Sequence, residues 1–222
     1  MDSCRWDSFT IADTPNIDSL GKAIKVHSPA GWTAPSMFHL LTNAPYFGNP
    51  RTRFVPTEKG VIWVPKTMAQ KGYHNVFFTP NQVIYKYTHA FRQGFHEVDW
   101  YWGEFKYTAN RDVDNVIRVL KEVEQPKFIL TLCMATHKPF AYKKDLPKEF
   151  FESPTQGIEF QVRSIESLDK EFGRVLDVAE NAIITVYSDH GTLFKELEGY
   201  DGHGQWLMHP KLFEVPFIRG KV

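Results

Sequence analysis

The chain has 222 residues, with 26 basic and 26 acidic side chains and 15% aromatics. That length suffices for one domain with a large core, and the aromatic content excludes a disordered chain. Balanced charge gives no bulk pull toward nucleic acid or an anionic membrane, so neither is expected as a partner.

Two cysteines, Cys4 and Cys133, lack zinc-ligand spacing, and so small a number fits a reducing compartment. No apolar run approaches the ~20 residues of a membrane span. The chain opens on polar residues rather than on a leader peptide. The expectation is a soluble, cytoplasmic protein with a single domain over residues 1–222.

In chain order, Thr14-Pro15-Asn16-Ile17-Asp18-Ser19-Leu20 predicts a helix start, with Thr14 as N-cap and Pro15 in the first turn. Ala23 to His27 reads as a short strand. Gly31-Trp32-Thr33 reads as a turn, followed by a helix from Ala34 to Thr42 that Pro35 opens and Met37, Leu40 and Leu41 stripe. Residues 44–56, punctuated by Pro45, Pro50 and Pro56, read as a surface connection. Glu58 to Gln70 reads as a helix that Pro65 kinks or interrupts.

His74 to Thr79 is a strand candidate. Tyr85 to Tyr107 is crowded with aromatics, which either pack in the core or wall a cleft. Arg111 to Glu124 is an amphipathic helix, with Val113, Val116, Ile117 and Leu120 at helical spacing. Phe128 to Cys133 is a buried strand. Lys143 to Thr155 reads as a charged loop, and Gly157 to Glu180 as a long helix. Ile183 to Tyr187 is β-branched and apolar, which suits a strand buried on both faces. A polar loop follows, and Glu214 to Ile218 reads as a last strand. Alternating helices and strands without repeats predict an α/β sandwich around a mostly parallel sheet.

In such folds, ligands gather at the carboxyl ends of strands. Asp189 and His190 stand together at one such end, where burying them unpaired would be costly. A carboxylate beside an imidazole suits a divalent cation, although a polar turn is the plainer reading. His137 follows another strand, as a ligand or as a hydrogen-bonded structural histidine. Lys138 offers a point charge to an oxyanion, or is simply solvated. His203, between two glycines, has little packing reason to be there and reads as a ligand or substrate contact. Thr33 precedes a helix N-terminus, a place for phosphate or sulfate as well as for a plain N-cap.

Set out in order, these residues resemble the sulfatase-like branch of the alkaline phosphatase superfamily. Asp2-Ser3-Cys4-Arg5 is similar to its Asp-x-Leu-Arg opening, and Thr14 to Leu20 to its Thr-Pro-Asn-[Ile/Leu]-Asp-x-Leu segment. Thr33-Ala34-Pro35-Ser36, with Leu40-Leu41-Thr42, resembles the nucleophile motif. Thr136-His137-Lys138-Pro139-Phe140, Ser188-Asp189-His190-Gly191, Gly202-His203-Gly204 and Val215-Pro216-Phe217-Ile218 resemble the later motifs. The resemblance implies a three-layer α/β/α sandwich. It implies a divalent cation (Mn, Zn, Mg or Ca) held by Asp2, Thr33, Asp189 and His190. It also implies catalysis by Thr33 and His137, with His203, Lys138 and Arg5 on the substrate or a second ion.

Three departures refine this expectation. Thr33 stands where sulfatases carry the cysteine or serine that becomes formylglycine, and Met37 replaces an arginine. Cys133 stands where dinuclear members carry an aspartate. The expected activity is metal-dependent hydrolysis or transfer of a small-molecule phosphate ester through a threonine nucleophile. A non-catalytic binding domain is the alternative, ahead of sulfate-ester hydrolysis.

Overall fold

Short extended segments build two three-stranded sheets and a hairpin in the computed structural model, which describes residues 1–44, 61–81, 84, 91–101, 108–138, 140, 153–204 and 206–222. In one sheet, β2 (His74–Thr79) lies between β3 (Glu97–Trp100) and β4 (Lys127–Thr131) and parallel to both. In the other, β8 (Glu214–Lys221) lies between β1 (Ile24–His27) and β5 (Ile183–Tyr187) and antiparallel to both. The expected mostly parallel sheet is therefore parallel in one half only. An antiparallel return needs no helical crossover, and a hairpin suffices between β5 and β8. That hairpin, β6 (Leu193–Leu197) with β7 (Tyr200–Gly202), occupies the stretch read as a polar loop; Leu193 and Phe194 bury it.

Helices cover these sheets. They are α1 (Trp6–Ile11), α2 (Pro15–Asp18), α3 (Thr33–Thr42), α4 (Val64–Gln70), α5 (Thr108–Glu122), α6 (Pro154–Leu176) and α7 (Pro210–Phe213). Pro65 does not kink α4. It sits in the first turn, where its missing N–H leaves nothing unpaired. Thr14 caps α2 by position alone, without a side-chain hydrogen bond. The connection over residues 45–60, most of the charged loop before α6, and residues 85–90 and 102–107 of the aromatic stretch lie outside the described residues. Of that stretch, Phe91 packs in the core with Phe38, Trp63 and Phe77.

A second core cluster joins Met1, Cys4, Phe9 and Ile17 to Ile165 and Leu168 of α6 and Ile218 of β8. Cys4 and Cys133 are buried and free. No described helix is long and apolar enough to cross a membrane. β5 departs from expectation: Ile183 is 64% exposed, so the strand is not covered on both faces.

Asp169 of α6 ties the two helices together. Its carboxylate accepts N–H bonds from Ile17 at 2.7 Å and from the Asn16 side chain at 2.9 Å. Removing it leaves a buried N–H at the start of α2 without a partner. Asp169→Ala is expected to cost about 3 kcal/mol, measured by urea denaturation; a loss within error of zero would refute this tie.

Candidate metal centre

Residues from far-apart positions meet beyond the ends of β2, β4 and β5. Met1 and Asp2 run between the two sheets: the Asp2 N–H donates to Cys133 past β4 at 2.9 Å, and the Asp189 N–H past β5 donates to Met1 at 3.2 Å. The Thr136 hydroxyl donates to the Asp2 carbonyl at 2.6 Å. Ser3 then turns with φ of 62°, a left-handed conformation that side chains other than glycine rarely adopt. The turn aims its N–H at Asp189 Oδ1 (3.1 Å) and its hydroxyl at Asp2 Oδ1 (2.7 Å).

Asp2, Asp189 and His190 are fully buried, and one ligand atom of each lies within 4.8 Å of the others. His190 Nδ1 faces the Gly191 carbonyl at 2.7 Å, so it carries the proton and Nε2 presents a lone pair. That Nε2 lies 3.5 Å from Asp189 Oδ2 and 3.7 Å from Asp2 Oδ1. Neighbouring ligands around a tetrahedral zinc with bonds near 2.0–2.1 Å are about 3.3–3.4 Å apart. Asp189 Oδ2 has no hydrogen-bond partner although it is buried. The residues therefore fit a divalent cation.

Thr33 is the first residue of α3 rather than the residue before it; Trp32 holds the cap position and offers no side-chain bond. Thr33 Oγ1 lies 3.1 Å from His190 Nε2 and 3.5 Å from Asp2 Oδ2. Thr33, Ala34 and Ser36 are buried, so the uncapped first turn of α3 points its N–H groups and positive dipole end toward this cluster.

The electrostatics are those of an anionic pair in a dry place. Burial, then the negative charge of Asp2, lifts the Asp189 carboxyl to about 6. Burial pushes Asp2 the same way, but the three imidazoles around it, His137, His190 and His203, and the Ser3 hydroxyl outweigh burial and hold that carboxyl at about 2. One carboxylate carries its charge readily and the second does so at a cost, which a cation between them removes.

Two more imidazoles border the cluster. The His203 ring centre is 4.4 Å from that of His190 and 5.2 Å from that of His137. Burial, then His190 and His137, pushes His203 down to about 3, so it is neutral. His137 Nδ1 faces the Lys138 carbonyl, which leaves Nε2 for another partner. Lys138 pairs with Asp201 on β7. Arg5 corrects its expected role. Its Nε and one terminal nitrogen grip Asp7 at 2.8 and 2.6 Å, the other terminal nitrogen pairs with Glu196, and Phe194 lies beneath it. Every guanidinium nitrogen is taken, so Arg5 fastens α1 to the hairpin instead of facing a substrate.

Sequence reading misses the residues that hold the ligands in place. Asn81, just past β2, donates to Asp2 Oδ2 at 2.6 Å. Gln161, in the middle of α6 and fully buried, donates to the Ser3 carbonyl at 2.8 Å and the Thr136 carbonyl at 3.0 Å, and accepts from the Arg5 N–H at 3.2 Å. For Asn81 the signal is its place after a strand. For Gln161 it is a polar residue on the apolar stripe of an amphipathic helix.

The sulfatase family model matches residues 1–219. This chain belongs to the sulfatase family. No curated protein matches it in sequence. Among solved structures, the C-terminal periplasmic domain of EptC from Escherichia coli, in complex with Zn, is similar with a TM-score of 0.73 and 14% identity, over 99% of this chain and 70% of that one. A protein in the alkaline phosphatase superfamily from Vibrio parahaemolyticus gives 0.70 and 15% over 100% and 58%. The lipoteichoic acid synthase LtaP from Listeria monocytogenes gives 0.68 and 13% over 99% and 63%. These likenesses show an alkaline phosphatase-like fold, and the sulfatase-family chain spans 58% to 70% of those chains.

Because Gln161 holds both loops that flank Asp2, it acts as a positioning residue. Gln161→Leu is expected to weaken Mn²⁺ or Zn²⁺ binding by about 10–100-fold in titration calorimetry. Unchanged affinity would show that Asp2 needs no such support.

Proposed function

We propose that this sulfatase-family domain, a three-layer α/β/α scaffold, is a metal-dependent phosphoric ester hydrolase or phosphotransferase that works through Thr33. The observation that supports this best is the Thr33 hydroxyl, 3.1 Å from His190 Nε2 at the uncapped start of α3. A divalent cation held by Asp2, Asp189 and His190 would lower the pKa of that hydroxyl and offset charge on the oxygens around phosphorus.

The chain's own residues supply the rest. Thr33 Oγ, its proton released to solvent, attacks phosphorus and the bond to the leaving oxygen breaks. The N–H groups at the start of α3 stabilise the developing anion. His137, as an imidazolium with its Nδ1–H fixed on the Lys138 carbonyl, hands the Nε2 proton to the leaving oxygen and takes one back from the water or alcohol that attacks next. Neutral His203 accepts a hydrogen bond from the substrate or adds a ligand to a second ion. Water, or an alcohol acceptor, then attacks the threonyl phosphate and frees Thr33.

Phosphate is favoured over sulfate by the nucleophile itself. Conversion to formylglycine takes a side chain with an unbranched CH₂, and threonine carries a methyl group there. Two neighbours, a phosphoethanolamine transferase from Campylobacter jejuni and the LtaP synthase, support phosphoester chemistry by their names.

The test is hydrolysis of p-nitrophenyl phosphate mono- and diesters with Mn²⁺, Zn²⁺ or Mg²⁺. Thr33→Ala is expected to lower kcat by at least about 10³-fold, while Thr33→Ser keeps measurable turnover. If wild type and Thr33→Ala are equally inactive with all three metals, the domain binds without catalysing.

A further inference from the structure

Among the described residues ten large apolar side chains are exposed, and four of them, Leu197, Tyr200, Trp206 and Met208, fall within residues 197–208. Apolar residues exposed singly are ordinary and need no account; a group of them beside a candidate metal centre does. Trp206 and Met208 are the two most exposed of the ten, at 77% and 84%. Both follow closely on His203, whose ring meets those of His137 and His190.

Local structure joins these four residues to His203. Glu198 and Gly199 take left-handed φ of 40° and 78°, as the central residues of a two-residue hairpin turn do, and Leu197 pairs with Tyr200 across it. Cross-strand partners put their side chains on one face. Tyr200 Oη donates to the His203 carbonyl at 3.4 Å. The chain then folds back: the Leu207 N–H donates to the Gly204 carbonyl at 3.4 Å, with Trp206 inside that turn. A Cβ added to Gly204 would stand 3.6 Å from Tyr200 Oη and 3.8 Å from Leu207 Cδ1, so the hairpin tip and the turn adjoin. The base of the hairpin is anchored. The bulge between Phe194 and Leu197 lets Glu196 pair with Arg5, and Asp201 pairs with Lys138. His203 therefore stands between two unlike places. On one side is a dry cluster of carboxylates and imidazoles; on the other is an exposed lip of Leu197, Tyr200, Trp206 and Met208.

We propose that this lip binds the apolar alcohol part of the ester, so that the substrate is an amphipathic phosphoester carrying an alkyl chain of several carbons. The phosphoryl end lies at the candidate metal centre and the start of α3. The chain passes His203 and lies on Tyr200, Trp206 and Met208. Tyrosine and tryptophan offer flat apolar area at little cost in side-chain freedom, and methionine adapts its shape to what it covers. A ligand charged at one end and apolar at the other matches a site that changes character in the same order. The inference rests on the phosphoryl-transfer reading, whose substrate class it names.

The experiment is titration calorimetry of the Mn²⁺-loaded chain with methylphosphonate and hexylphosphonate, probes of the head alone and of the head with a chain. A fully buried methylene is worth about fourfold in affinity, and an open lip covers a chain on one side only. Hexylphosphonate is therefore expected to bind at least about tenfold tighter than methylphosphonate. Trp206→Ala combined with Met208→Ala changes two exposed side chains and is expected to erase that difference. Methylphosphonate, which has no chain to reach the lip, keeps its affinity in that variant. Equal affinity for the two probes, or a chain preference that the double variant retains, overturns this proposal alone. Failure of both phosphonates to bind overturns the phosphoryl-transfer reading and this proposal with it. If the chain shows no preference between the probes but binds phosphatidylcholine vesicles through Trp206 and Met208, the lip is a membrane contact and the proposal is overturned. It is overturned too if sedimentation shows a dimer that the double variant dissolves, which makes a second copy the occupant.

Discussion

Two buried carboxylates held beside one imidazole set the terms for this molecule. Asp2 and Asp189 share a solvent-free space, and their repulsion is relieved only by positive charge. The chain spends much of its polar structure holding them there. Ser3 adopts a left-handed backbone to bond both, Asn81 fixes one oxygen of Asp2, and Gln161 clamps the loops on either side. A set of groups so fully positioned, with one oxygen of Asp189 unpartnered, fits a cation.

The rest of the fold serves that arrangement at longer range. α3 delivers Thr33 with its N-terminal dipole; β5 delivers Asp189 and His190; β4 delivers the turn with Thr136 and His137. The Arg5 network with Asp7 and Glu196 holds the start of the chain against the β6–β7 hairpin. Separating Asp2 from the two sheets would therefore disturb the candidate metal centre and the fold together.

Much of this was legible in the sequence, for identifiable reasons. β2 is read to the residue because a buried apolar run is closed by Pro80. The place of Asp189 and His190 was legible because both follow an apolar strand, β5, where side chains are free of the ladder. The hairpin was hidden because its alternation is broken: Lys195 and Glu198 take left-handed φ of 69° and 40°, and the register shifts between Phe194 and Leu197. α1 was hidden because it is one short turn or two, without a capping side chain. Arg5 was misplaced because nothing local in the sequence reveals that Glu196 comes to meet it. The mixed direction of the strands depends on which pairs form, and composition does not carry that.

The most direct test is a crystal structure from Mn²⁺- or Zn²⁺-soaked crystals with anomalous scattering recorded at the metal edge. The account predicts one strong peak within about 2.0–2.3 Å of an oxygen of Asp2, an oxygen of Asp189 and Nε2 of His190, with Thr33 Oγ1 beside it. A map with no anomalous peak among these three side chains at saturating metal would contradict it.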